Sequence, residues 1–148
     1  MSTAGAIDGI IKTKPEPYKA VESLNISKIL LESAENNLKE KRYLSAYEDA
    51  LGAIRMSAAA LMFLDGRIAP TLEKATEYLR EFYPKLDAEG WKKAEFNHPQ
   101  KKGALMRMME IIGVKKINEE EETNEVLNLA KNFVDYSERL VNGNIQEW

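Results

Sequence analysis

Arg55 is the one charged residue in the fifteen-residue run ALGAIRMSAAALMFL between Ala50 and Leu64, and a guanidinium in that setting has a short list of uses. Its stem can lie on apolar surface with the head in water. It can bridge a carboxylate of a neighbouring helix or of a second subunit, or it can contact a phosphate, for which a planar fork of donors is suited. The other residues with binding chemistry cluster downstream: Trp91, Phe96, the single histidine His98, and the lysines Lys92, Lys93, Lys101 and Lys102. Aromatic faces interleaved with ammonium groups form a platform for a nucleotide or RNA, where stacking and phosphate contacts act together. The alternative is a segment whose aromatics plug the end of a bundle while the lysines stay in solvent. Arg55, Trp91, Lys92, Lys93, His98, Lys101 and Lys102 are the candidate nucleotide- or RNA-binding residues.

The chemistry that the residue types exclude is broader. With no cysteine in the chain there is no disulfide, thiol nucleophile or thiolate-ligated zinc or iron–sulfur centre. One histidine leaves no His-based metal cluster, and the acidic run Glu119 to Glu122 points to different sides of a helix and cannot converge on one ion. Glycine-rich phosphate loops, G-x-S-x-G elbows and H-E-x-x-H motifs are all missing. No catalytic residue, metal or cofactor is expected from these patterns. Charge is unevenly spread: from Lys85 to Lys116 eight bases face four acids, and from Ile117 to Trp148 eight acids face two bases. Such asymmetry marks either a nucleic-acid-facing side or the solvated faces of separate helices.

These residues must be carried by helices. The 148 residues are the size of one domain able to bury a core without staples. Residues 1–22, with "KTKPEPYK" and no sustained period, read as a flexible arm, and residues 23–148 as a single helical domain. Leu24, Leu31, Ala34 and Leu38 recur at helical spacing in a first helix that ends near Lys41. In the second, Tyr43, Tyr47, Ala50, Ile54, Ser57, Leu61 and Leu64 form one stripe that Ala46, Ala53 and Ala60 widen until the helix is apolar nearly all round, with Asp65-Gly66 as its stop. Pro70-Thr71 restarts a helix with Leu72, Ala75, Tyr78, Leu79 and Phe82 inside, ended by Pro84. "KLDAEGWKKAEFNHPQKKG" is the least regular part. Leu105, Met108, Met109 and Ile112 then predict a short helix, and the closing helix opens at Asn118 with Val126, Ala130, Phe133, Ser137 and Leu140 as its buried stripe. No strand-like alternation appears, so the fold class is all-α, a four-to-five-helix up-and-down bundle.

The stretch "NLKEKRYLSAYEDALGAIRMSAAALMFLDGRIAPT" and the closing "NEVLNLAKNFVDYSERLV" together resemble HEPN domains, especially the small archaeal ones, over roughly Leu24 to Val141. The resemblance implies an HEPN-like bundle, often dimeric, found beside minimal nucleotidyltransferases in toxin–antitoxin systems, in RNA processing, or as a non-catalytic nucleotide- or RNA-binding module. Many members are metal-independent ribonucleases with an arginine followed four to six residues later by a histidine. That pair is absent: His98 lies eighteen residues after Arg80 and nine before Arg107. The expectation is a non-catalytic HEPN-like module binding a nucleotide, RNA or partner protein, with a degenerate ribonuclease or a pure protein-interaction bundle as alternatives.

Two further expectations concern assembly and place. Met56, Ala59, Met62 and Phe63 lie away from the Tyr43 to Leu64 stripe and would form a patch that a homodimer covers. "MSTAGAIDGIIK" lacks a basic start and an unbroken apolar run, and the Ala50–Leu64 segment is too short for a span, so a cytoplasmic location without membrane insertion is expected.

Overall fold

The computed structural model describes residues 8–98, Met108 and 119–146, and 79% of these are helical. Among the described residues the helices are α1 (Pro17–Lys39), α2 (Tyr43–Asp65), α3 (Leu72–Phe82), α4 (Ala88–Phe96) and α5 (Glu119–Gln146), joined by a small pair of strands, β1 (Ile11–Lys12) and β2 (Arg67–Ile68). The helix expected over Leu105 to Ile112 lies outside the described residues apart from Met108, which is helical and exposed.

Helix α2 is the axis of the bundle, as its nearly all-round apolar surface requires. It packs against α1 and α5 along its length and meets α4 near its middle. Ala50, Ala53, Ile54, Ala60 and Leu61 are wholly buried, and small residues let the neighbours come close. At Gly52 an added Cβ would sit 3.0 Å from the Leu30 side chain of α1. The α1–α2 hairpin is locked by Asp49, whose carboxylate accepts from Ser33 Oγ at 2.5 Å and Asn37 Nδ2 at 2.9 Å. On the other flank Ser137 Oγ of α5 donates to the Ser57 carbonyl of α2 at 3.2 Å, and Lys28 of α1 bridges Glu138 of α5.

The chain start differs from the expected arm. Helix α1 begins at Pro17, with proline at a first-turn position where its missing N–H removes no bond, and Ala20 is already fully buried. Before it, β1 pairs antiparallel with β2, Ile11 opposite Ile68 and Lys12 opposite Arg67. Thr13 N donates to Gly66 O and Glu16 N to Phe63 O, both at 2.8 Å, so the strap adds main-chain donors to carbonyls at the end of α2, beside those from Arg67 to Gly66 O and from Gly66 N to Phe63 O. Two-residue strands are too short to show an alternating pattern in sequence.

Gly66 makes this crossing possible. It ends α2 in the left-handed conformation with φ 64° and ψ 48°, and a Cβ there would lie 2.4 Å from Thr13 O. Gly66→Ala should therefore cost about 2 kcal/mol or more in a denaturant titration, combining a strained backbone with a clash against main chain. An unchanged midpoint would show that the strap does not hold its place over α2.

Helix α3 starts at the N-cap Thr71, whose side chain accepts from Lys74 N, and α4 starts at Asp87, whose carboxylate accepts from Gly90 N. Asp65, the last residue of α2, ties α3 to the axis by accepting from Tyr78 OH at 2.7 Å and Tyr83 OH at 2.5 Å. In α5 the buried stripe is Val126, Ala130, Phe133, Ser137 and Val141, whereas Leu140 is 37% exposed. The last step is i to i+4 from Ser137, so the stripe closes on Val141 in place of Leu140.

Candidate functional site

Arg55 points to α4. Its Nε donates to Glu95 Oε2 at 2.7 Å and its Nη2 to Glu95 Oε1 at 2.5 Å, a fork against a carboxylate. Glu95 is only 5% exposed and also accepts from Trp91 Nε1, one turn earlier, at 3.1 Å. The hydrogen bond to Glu95 raises the guanidinium pKa above its ordinary value, and about half of the Arg55 side chain still reaches solvent. Two turns back along α2 toward its start, Tyr47 OH donates to the Ala94 carbonyl at 2.7 Å, and His98 sets its ring edge-on to Tyr47 at 5.7 Å. His98 Nε2 stands 3.6 Å from Glu48 Oε1 with its side chain nearly buried. Arg55 and His98 thus share an interface, but it is the seam that fastens α4 to α2.

The remaining candidates are dispersed. Trp91 is buried and packs edge-on against Phe133 of α5 at 6.0 Å. Lys92 is half-buried, Lys93 is exposed, and Phe96 beside them is 83% exposed. Lys101 and Lys102 lie outside the described residues. The dimer patch is broken up within the chain: Met62 belongs to the core, Phe63 packs on the cluster of Ala20, Leu24, Ala60 and Val141, and Met56 and Ala59 are half-buried. Met62 is only 8% exposed, whereas Ala59 and Phe63 on the same turn are only partly covered.

A groove that the sequence reading did not anticipate runs between α4 and α5. Its larger part, about 550 Å³, is lined by Tyr47, Lys93 and Asn97 on one side and Glu122, Glu125, Asn128, Leu129 and Asn132 on the other. It continues past Asp87, Leu129 and Asn132 into a second hollow of about 300 Å³ with Lys85, Asp135, Tyr136 and Arg139 on its walls. The signal in the sequence is Asn124, Asn128 and Asn132, an i, i+4, i+8 series inside a helix, of which Asn128 and Asn132 line the groove and Asn124 donates to the Glu120 carbonyl. Asparagine is a poor interior helix residue, costing up to about 0.7 kcal/mol each against alanine. Such a series on one side of α5 is the local inconsistency that functional faces carry.

What the groove can do chemically is bind. Its carboxamides offer donors and acceptors, its floor at Leu129 and Ala94 is apolar, and Asp87, Glu122 and Glu125 outnumber Lys93 in the larger part. Among the described residues no group of three or more His, Asp or Glu side chains converges as a metal site, and no helix is long and apolar enough to cross a membrane.

The polar core near the groove yields a pH dependence. Burial first, then the carboxylates of Glu122, Glu95 and Glu125, push the Tyr47 pKa up to about 12. Burial and the hydrogen bond to Asp65 raise Tyr78 and Tyr83 as well. A tyrosine in the unfolded chain ionises near pH 10. The stabilisation tied to these neutral hydroxyls is therefore complete below about pH 10 and is lost as pH rises through about 12 and beyond. A phenolate absorbance titration should show late ionisation of these groups together with loss of helical dichroism. Ionisation of all six tyrosines in one step near pH 10 with the helices intact would contradict this.

Comparison with known proteins gives no match: no family model, no curated protein and no solved structure matches the chain.

Proposed function

We propose that this chain is a non-catalytic, HEPN-like helical module that binds a partner protein in the α4–α5 groove, in the setting of a nucleotidyltransferase or toxin–antitoxin pair that the resemblance implies. The observation that supports this most is the groove itself, an open hollow of about 550 Å³ lined by carboxamides and carboxylates. Its excess of carboxylates disfavours phosphates: at about 6 to 8 Å each like-charge pair costs roughly 0.5 to 3 kcal/mol between the limits of water and a protein surface.

The degenerate ribonuclease loses ground on the same geometry. A metal-independent cleavage needs an arginine aimed at the phosphorane and a histidine within reach of the 2′-hydroxyl. Here Arg55 is forked onto Glu95, and His98 is enclosed by Tyr47 and Glu48. Single-stranded RNA incubated with the purified protein in EDTA should remain intact, and His98→Ala should leave that result unchanged. Robust cleavage abolished by His98→Ala would restore the enzyme reading.

A nucleotide- or RNA-binding module is the second reading, favoured by Phe96, an aromatic ring 83% exposed beside Lys92 and Lys93. Fluorescence anisotropy of a labelled uridine oligonucleotide separates the two readings. Salt-sensitive binding lost in Phe96→Ala would favour the nucleic acid, and absence of binding would favour the protein partner.

A further inference from the structure

We infer that the α4–α5 groove holds an extended peptide segment, its main chain read by Asn128 and Asn132 and its side-chain charges by Glu125 at one end and Arg139 at the other. This rests on the reading of the groove as a partner-protein site and names what part of the partner enters it.

The spacing carries the argument. Asn128 and Asn132 are four residues apart on α5, which advances about 6 Å along the helix axis. A fully extended chain repeats every two residues over about 6.6 Å. Two carboxamides in that register meet every second residue of a strand, and each presents one acceptor and a pair of donors that match a peptide C=O and N–H. Neither side chain has a hydrogen-bond partner among the described residues, and both stand on the groove wall, with Asn97 facing them from the end of α4. A docked helix would use its own main-chain groups internally and leave these amides unmatched, and a phosphate backbone would meet the carboxylates.

Charge orders the occupant. At one end Glu125 stands opposite Lys93; at the other Lys85 and Arg139 stand with Asp135, and Asp87 lines both hollows where they join. Glu125 and Arg139 have no ion-pair partner among the described residues. They are fourteen residues apart on one helix, about 21 Å, a distance that an extended chain covers in about six residues. The segment that fits carries a lysine or arginine and an aspartate or glutamate about six positions apart, with small or apolar residues between them over Leu129.

The test is selection of the full chain against a phage-displayed library of random peptides, followed by binding measurements on the selected sequences. Enrichment of a basic and an acidic residue about six positions apart is expected. Asn132→Ala should weaken the selected peptides about tenfold. Alanine strengthens an exposed helix, so that loss cannot come from unfolding. Glu125→Lys should weaken them similarly, and exchanging the peptide's basic residue for glutamate should restore binding. Peptides that depend on Asn132 but carry no charge pair would overturn this inference while leaving a protein partner in the groove. If no peptide is selected and a uridine oligonucleotide binds through Phe96, the inference and the partner reading both fall.

Discussion

Arg55→Met should lower the stability of the fold by about 2–3 kcal/mol in urea or guanidinium titrations. The substitution keeps most of the side chain's length and apolar stem but removes both donors to Glu95, a carboxylate only 5% exposed. Stranding a buried charge in this way costs about 3–5 kcal/mol when the pair is fully enclosed. The lower figure applies because Trp91 Nε1 still donates to Glu95 and the outer edge of the Arg55 site is open to water. Glu95→Gln should cost less, since an amide keeps an acceptor for Trp91 and leaves a guanidinium that solvent can reach. A loss for Arg55→Met within experimental error of zero would show that Glu95 is solvated in solution and that the α2–α4 seam does not depend on it.

Phe133→Ala should cost more, about 4 kcal/mol. The ring is fully buried in α5 and sits edge-on to Trp91 of α4, so its removal opens a cavity where α5, α4 and α2 meet. Collapse into that space is hindered on the α2 side by alanines, which have no rotamers to swing inward. Because Trp91 anchors the Glu95 carboxylate, the same variant should also loosen the wall of the groove. Retention of the wild-type unfolding midpoint would show that α5 is not packed on α4 through this ring.

The parts of the fold legible in sequence are those in which local chemistry and tertiary demand agree. The all-round apolar face of α2 fixes its central place and Gly66 its end from residue type alone; Pro70-Thr71 marks where a helix restarts, but the proline stays outside α3 and Thr71 caps it. The start of α1 was hidden because "KPEPYK" has the composition of a loop, and only its docking against the end of α2 turns Pro17 into a first-turn residue. For Arg55 the sequence limits the choices to solvent, a carboxylate or a phosphate. The choice of Glu95 rests on a contact across 40 residues of chain, to which helical periodicity is blind. The groove escaped for a related reason: its walls come from α4 and α5, and the asparagines that mark it are unremarkable one at a time. His98 and Trp91 looked like a platform because aromatics beside lysines have that composition, whereas their rings face inward and only Phe96 is left outside.

A double-mutant cycle on Arg55 and Glu95 tests most directly whether the charge in the apolar helix belongs to the fold, which is the premise for placing function in the groove. With each residue changed to methionine singly and together, the account predicts that the double variant recovers much of the single losses, giving a coupling of about 2 kcal/mol. Strictly additive losses, with coupling near zero, would contradict it and leave Arg55 available for a phosphate.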